Sequence, residues 1–258
     1  MATSITTTYA GEFAGKYISA ALLSADTIEG GGITVKPNVK YKEVMKTLST
    51  NALVKDAACD FADQSTVTLA ERVLTPEEFQ VNLELCKKDF HNDWEAVQMG
   101  YSAFDSLPPS FADFLIGHIA AKVAQKTEEN IWQGVTANAG EFDGFETLLA
   151  ADGTVIDVTG TSVTAANVIT EMGKVVDAIP TAVYGKEDLY IYASSNVARA
   201  YIRALGGFGA SGLGANGVNN EGTTWFNGGD LAFDGVKLFV CSGLSDNTMV
   251  AAQKGNLF

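Results

Sequence analysis

Residues 108–134, PPSFADFLIGHIAAKVAQKTEENIWQG, hold the longest uninterrupted helical pattern in the chain, and their reading decides the rest. Pro108 and Pro109 stop what precedes, and Ser110 with Asp113 three residues on resembles a capping box. Phe111, Leu115, Ile119, Val123 and Ile131 recur on one face, widened near its start by Phe114 and Ile116. Gly134 supplies a stop, because glycine accepts the left-handed conformation. A helix over 110–133 is about 36 Å long, the width of a small domain. Such a helix serves as a spine. Its stripe is expected to be core, so that Leu115→Asp or Ile119→Asp abolishes folding.

Upstream of this spine, residues 1–40 read poorly as a self-contained fold. A helix over 10–23 is expected, with Phe13, Tyr17, Ala20 and Ala21 on one side, followed by an extended segment over 28–41. The spacing of Val44, Met45 and Leu48 predicts a short helix within 42–53. Val67 and Leu69 alternate with threonine, and a break follows at 75–78. Phe79, Val81, Leu83 and Leu85 then alternate with Gln80, Asn82, Glu84 and Cys86, the firmest strand pattern in the chain. Together these runs predict a long hairpin, which needs a surface to lie on.

Downstream, residues 135–160 read as loop. Val168, Met172, Val175, Val176 and Ile179 predict a helix over 164–179, ended by Pro180. Leu189–Ala193 reads as a buried strand, and a helix capped by Ser194 or Ser195 runs to Leu205 before Gly206-Gly207. A Gly/Asn-rich loop over 208–220 precedes short strands near 231–233, 236–241 and 248–251, with Asp234-Gly235 as a hairpin turn. The fold class expected is α+β.

The totals fit a globular chain of 258 residues, with 47% hydrophobic and 19% charged residues. No run of eighteen apolar residues exists, so no membrane-spanning helix is expected, and residues 1–13 lack the pattern of a secretion signal. A net charge of −14 argues against sequence-reading nucleic-acid binding, which relies on clustered Lys and Arg. Residues 1–58 carry six lysines against five acids, a balance of +1, so the other 200 residues carry −15.

Catalytic chemistry finds few residues to rest on. Cys59, Cys86 and Cys241 are far apart, without a CxxC, and indicate neither zinc nor a disulfide framework. Gly207-x-Gly209-x-x-Gly212 and Gly212-x-Gly214-x-x-Gly217 match a dinucleotide fingerprint. A helix precedes them and a loop follows, the reverse of the strand-to-helix context that holds pyrophosphate, so they read as surface loop. His118 within the spine reads as packed or partner-contacting, and His91 as a surface residue. Asp60, Asp63 and Glu71 lack metal-loop spacing, and Glu128 and Glu129 read as exposed helix positions. No HExxH, GxSxG, P-loop or EF-hand pattern occurs. No catalytic residue, metal ligand or cofactor is expected, and the chain reads as not an enzyme.

The order of an arm, an extended hairpin region, a spine ending EENIWQG, the helix TAANVITEMGKVVDAIP and the segment LYIYASSNVARAYIRALGG resembles the major capsid proteins of tailed bacteriophages, the Hong Kong 97 type. That resemblance implies an N-terminal arm over 1–40, an extended loop over 41–80, a peripheral domain over 81–185 with the spine at 110–133, and an axial domain over 186–258. It implies self-assembly into hexamers and pentamers that close an icosahedral head around double-stranded DNA, formed in the host cytoplasm. Scaffolding, portal or decoration proteins are the partners it implies, with DNA touched only non-specifically and no membrane. A return strand to the peripheral domain, usual in that family, is missing at 254–258, as in a fragment or a chain with a very short return. Three other readings stand beside it. An encapsulin-type compartment would hold cargo instead of a genome. A dinucleotide-binding enzyme would bind NAD or FAD through Gly209 and Gly212, and a monomeric binding module would not assemble.

Overall fold

A computed structural model describes residues 25–51, 54, 56, 57, 59, 66–84, 109–205 and 231–258. The fold is α+β, and the chain divides into two compact units: Lys36–Gln80, and Met1–Val35 with Val81–Phe258. The 185/186 boundary falls inside the larger unit.

The smaller unit is a two-stranded antiparallel ribbon of β1 (Glu43–Thr50) and β2 (Val67–Leu74). The helix expected within 42–53 is therefore a strand. Val44 and Leu48, four apart, suit a helix face and equally one face of a strand, and Thr47, Ser49 and Thr50 favour the pleated form. Pairing with β2 decides it, in the register Val44↔Val73, Lys46↔Glu71, Leu48↔Leu69 and Thr50↔Val67. The strand expected at 79–86 is not formed over its described part, 79–84, which joins no ladder. Alternation marks a competent strand, but without a neighbour to take its N–H and C=O groups none forms.

In the larger unit, α1 (Asp26–Glu29) and turns replace the extended segment expected at 28–41. The spine, α2, spans Pro109–Gln133. Its end is not a left-handed glycine. A side chain at Gly134 would place Cβ 2.2 Å from the Phe142 carbonyl oxygen, so glycine is needed there for close approach. The chain then folds back, Gly144 N–H donating to Gly134 O at 2.9 Å, into α3 (Phe145–Ala151), a helix inside the stretch read as loop. α4 (Val168–Asp177) starts one turn later than expected, because Asn167 Oδ1 accepts from the N–H and hydroxyl of Thr164 and holds a turn. β3 (Leu189–Ser194), α5 (Ser195–Leu205), β4 (Ala232–Phe233), β5 (Val236–Cys241) and β6 (Met249–Gln253) follow. Asp234 and Gly235, with φ of 46° and 78°, make the β4–β5 turn that strand twist favours.

The four-stranded sheet runs β4-β5-β3-β6, with β3 parallel to β5 and antiparallel to β6. Alternation sends Leu189, Ile191 and Ala193 to one face, where Val168, Met172 and Val176 of α4 and Val197, Ala200 and Tyr201 of α5 close a core. Tyr190 and Tyr192 go to the other face, against Ile131 and Trp132 of α2, Ala25, Ile33, Leu244 and Leu257. A sheet covered on both sides needs apolar residues at consecutive positions, as in LYIYAS.

Among the described side chains of the spine, those at its end meet that core. Ile131 and Trp132 are buried, whereas Leu115, Ile116, Ile119 and Val123 are half-buried. The expectation that aspartate at Leu115 or Ile119 abolishes folding therefore moves to Ile131 and Trp132. No helix of the described residues is long and apolar enough to cross a membrane.

Candidate interaction surface and the buried junction at Glu128

On the ribbon, residues directly opposite each other across the two strands share a face. One face therefore carries Val44 with Val73, Lys46 with Glu71, Leu48 with Leu69, and Thr50 with Val67. Its aliphatic side chains stand in solvent: Val44 is 45% exposed, Leu48 66%, Val67 59%, Leu69 57% and Val73 54%. The opposite face carries Glu43 with Leu74, Met45 with Arg72, Thr47 with Ala70, and Ser49 with Thr68, a mixed set in which Met45 and Leu74 are half-buried. Exposed apolar residues scattered singly are ordinary, but five on one side of a two-stranded ribbon form a stripe, crossed by the Lys46–Glu71 pair. Phe79, Val81 and Leu83 continue the exposure beyond β2, at 50%, 62% and 53%.

A second constellation lies where α1, the end of α2 and the loop after β5 converge. Glu128, expected to be exposed, is 3% exposed, and its carboxylate accepts from Thr27 N–H at 2.8 Å and Thr27 Oγ1 at 2.5 Å. Trp132 Nε1 in turn donates to Thr27 Oγ1 at 2.9 Å. The cause of the burial is at Gly243, where a Cβ would lie 2.1 Å from the Glu128 carbonyl oxygen, so the loop rides directly on the helix. Gln133 Nε2 donates to Gly243 O at 2.6 Å, Ser242 Oγ to Asp26 Oδ2, and Ser245 to Glu146 through its N–H and Oγ. Tyr192, fully buried, donates to Gly32 O at 2.5 Å and ties the same N-terminal segment to β3. Residues 25–34 are thus strapped down by hydrogen bonds that bridge more than a hundred residues of sequence.

Glu129 on the neighbouring position is exposed and accepts from Lys126 at 3.4 Å. His118 is exposed on α2 rather than packed. Glu71 lies on β2 opposite Lys46. Cys59 is exposed and Cys241 buried. Cys86, His91, Asp60, Asp63 and the glycines from 207 to 217 lie outside the described residues, as do the expected helix over 10–23 and the loop over 208–220.

The chemistry at the junction is structural. Burial pushes the Cys241 thiol well above its ordinary range, the opposite of what a nucleophile needs. Burial likewise raises the Tyr192 phenol. A groove of about 600 Å³ beside the junction is lined by Asp26, Gln125, Glu128, Glu129, Gln133 and Ser242, but Asp26, Glu128, Glu129 and Gln133 are already engaged within the chain. No group of three or more His, Cys, Asp or Glu among the described residues is placed to hold a metal ion.

Sequence reasoning did not single out Trp132, Thr27 or Gly243. Adjacent apolar residues at a helix end, Ile131 and Trp132, were the available signal, since two neighbours more than a quarter of a turn apart are both buried only where the helix is enclosed from several sides. Compared with protein-family models, with curated proteins and with solved structures, the chain matches none.

Proposed function

We propose that the chain is a structural shell subunit of the Hong Kong 97 type, the major capsid protein of a tailed bacteriophage. On this reading it is not an enzyme. It assembles with itself into hexamers and pentamers that close an icosahedral head around double-stranded DNA, and its place is the virion.

The observation that carries the reading is the ribbon. A two-stranded sheet is marginal by itself in water, and this one turns an aliphatic stripe to solvent. Such a surface fits a chain whose neighbours complete it. Two further features agree. The described chemistry is devoted to holding the subunit together, with Glu128, Thr27, Trp132 and Gly243 locking its N-terminal segment to its spine. A net charge of −14 also suits a container that must not grip the DNA it encloses.

Mass measurement and negative-stain microscopy of the purified protein test it. Closed polyhedral particles are the expected result. A species that stays strictly monomeric at high concentration overturns the reading.

A further inference from the structure

Resting on that reading, we infer that the aliphatic face of the ribbon is a two-fold contact with the same face of a second copy of this chain. The stripe is not purely apolar. Lys46 and Glu71 sit opposite each other near its middle, flanked by Val44/Val73 on one side and Leu48/Leu69 on the other. The covering surface that suits it best offers an anion for Lys46 and a cation for Glu71, side by side within an apolar surround. An apolar sheet or helix would leave the two charges only each other across the strands, and that attraction repays the desolvation of burial only in part.

The stripe itself presents that pattern. Two ribbons stacked about 10 Å apart, related by a two-fold axis running along the ribbon between its strands, bring β1 of one over β2 of the other at the same level. Each side chain then faces the residue it already opposes across its own ribbon. Lys46 meets the second copy's Glu71, Leu48 its Leu69, Val44 its Val73, and Thr50 its Val67. A two-fold axis running across the strands instead would set Lys46 over Leu48 and lose the charge match. The contact is isologous, the arrangement most oligomers use.

Its size says how it works. Eight residues on two strands span about 26 Å by about 10 Å, roughly 250 Å² a side or about 500 Å² in all, well below the ~1,200 Å² total of a stable interface. It therefore acts beside other contacts in an assembly, where effective concentration is high.

The test uses the full chain with Cys59→Ser. Leu48→Cys and Leu69→Cys chains are prepared singly, mixed, treated with a short bismaleimide and mapped by mass spectrometry. The expected product is a 48–69 link between chains in the mixture, with 48–48 and 69–69 links, one strand spacing of about 5 Å off the facing position, in lower yield. Charge reversal supplies the second arm, read as the yield of that link. Lys46→Glu in both cysteine chains makes the stripe doubly acidic, and Glu71→Lys in both makes it doubly basic. Each lowers the yield about tenfold through like charges facing one another. Pairing one acidic with one basic chain restores it. Equal yields in pure and mixed charge variants, or no 48–69 link at all, overturn the two-fold contact. Closed particles without the link would leave the shell reading standing and this contact refuted. The link in dimers without particles would do the reverse.

Discussion

Among the described residues two sheets carry aliphatic faces and use them in opposite ways. In the four-stranded sheet, Leu189, Ile191 and Ala193 face α4 and α5, while Tyr190 and Tyr192 face the end of α2. Both of its sides are closed. In the ribbon, Val44, Leu48, Leu69 and Val73 line up as regularly, yet among the described residues nothing covers them. Alternation thus marks where a face must be buried without saying whether the same molecule buries it. Cores and contact surfaces share a pattern and differ in what stands opposite.

Several substitutions probe that difference. The largest effect is expected at Trp132, fully buried against Phe145 and Tyr192 at ring separations of 5.4 Å each. Trp132→Ala should cost about 3–5 kcal/mol in urea unfolding, whereas Leu69→Ala on the ribbon should cost less than about 0.5 kcal/mol. Equal costs would place the ribbon's face in a core. Gly243→Ala comes next, at about 1–3 kcal/mol, because its methyl meets helix backbone that cannot yield. Gly117→Ala is its control. Nothing lies within 4 Å of a Cβ there, and helix propensity should raise stability by about 0.5–1 kcal/mol.

Glu128→Ala strands the Thr27 N–H and hydroxyl, with an expected loss of about 1–3 kcal/mol. Because Thr27 and Cys241 pack at the same junction, labelling of Cys241 by a thiol reagent should accelerate with it, and unchanged labelling would mean that the strap holds without Glu128. The smallest effect concerns pH. The Lys126 ammonium, then Asn138 and the Val135 N–H, hold the Glu141 carboxyl down at about 2 against an ordinary 4.5. A depressed acid contributes its support above its unfolded value. That support is complete above about pH 4.5 and fades as the pH falls towards 2. Carboxyl NMR should show Glu141 titrating near 2, and Lys126→Ala should move that titration upward.

Much of the larger unit was legible because helix and strand periods there agree with burial. α2, α5 and β3 to β6 stand within a few residues of their expected bounds. What could not be read was depth. The stripe from Phe111 to Ile131 has one period along its length, but over its described part, from Leu115 on, Ile131 at the end is what meets the sheet, since other parts of the chain decide where the core sits. Glu128 reads as a surface residue by composition, and it becomes a buried acceptor through Thr27, about a hundred positions earlier, and the Gly243 loop, more than a hundred positions later. The reversed assignments, strand at 43–50 and no ladder at 79–84, share one cause. A strand is a property of two segments, and a single segment cannot announce its partner.

The register of the central strand has a consequence for the order of events as the chain is made. β3 takes its partners from β5 and β6, roughly fifty and sixty residues later, so its sheet cannot close until residues 249–253 have been synthesised. The ribbon joins strands only sixteen residues apart and can zip up almost at once. Throughout translation of the remainder, an aliphatic ribbon that forms and melts in turn precedes a finished body. On crowded polysomes, neighbouring nascent chains would meet ribbon first, and the interval before β6 emerges is when premature association is hardest to avoid.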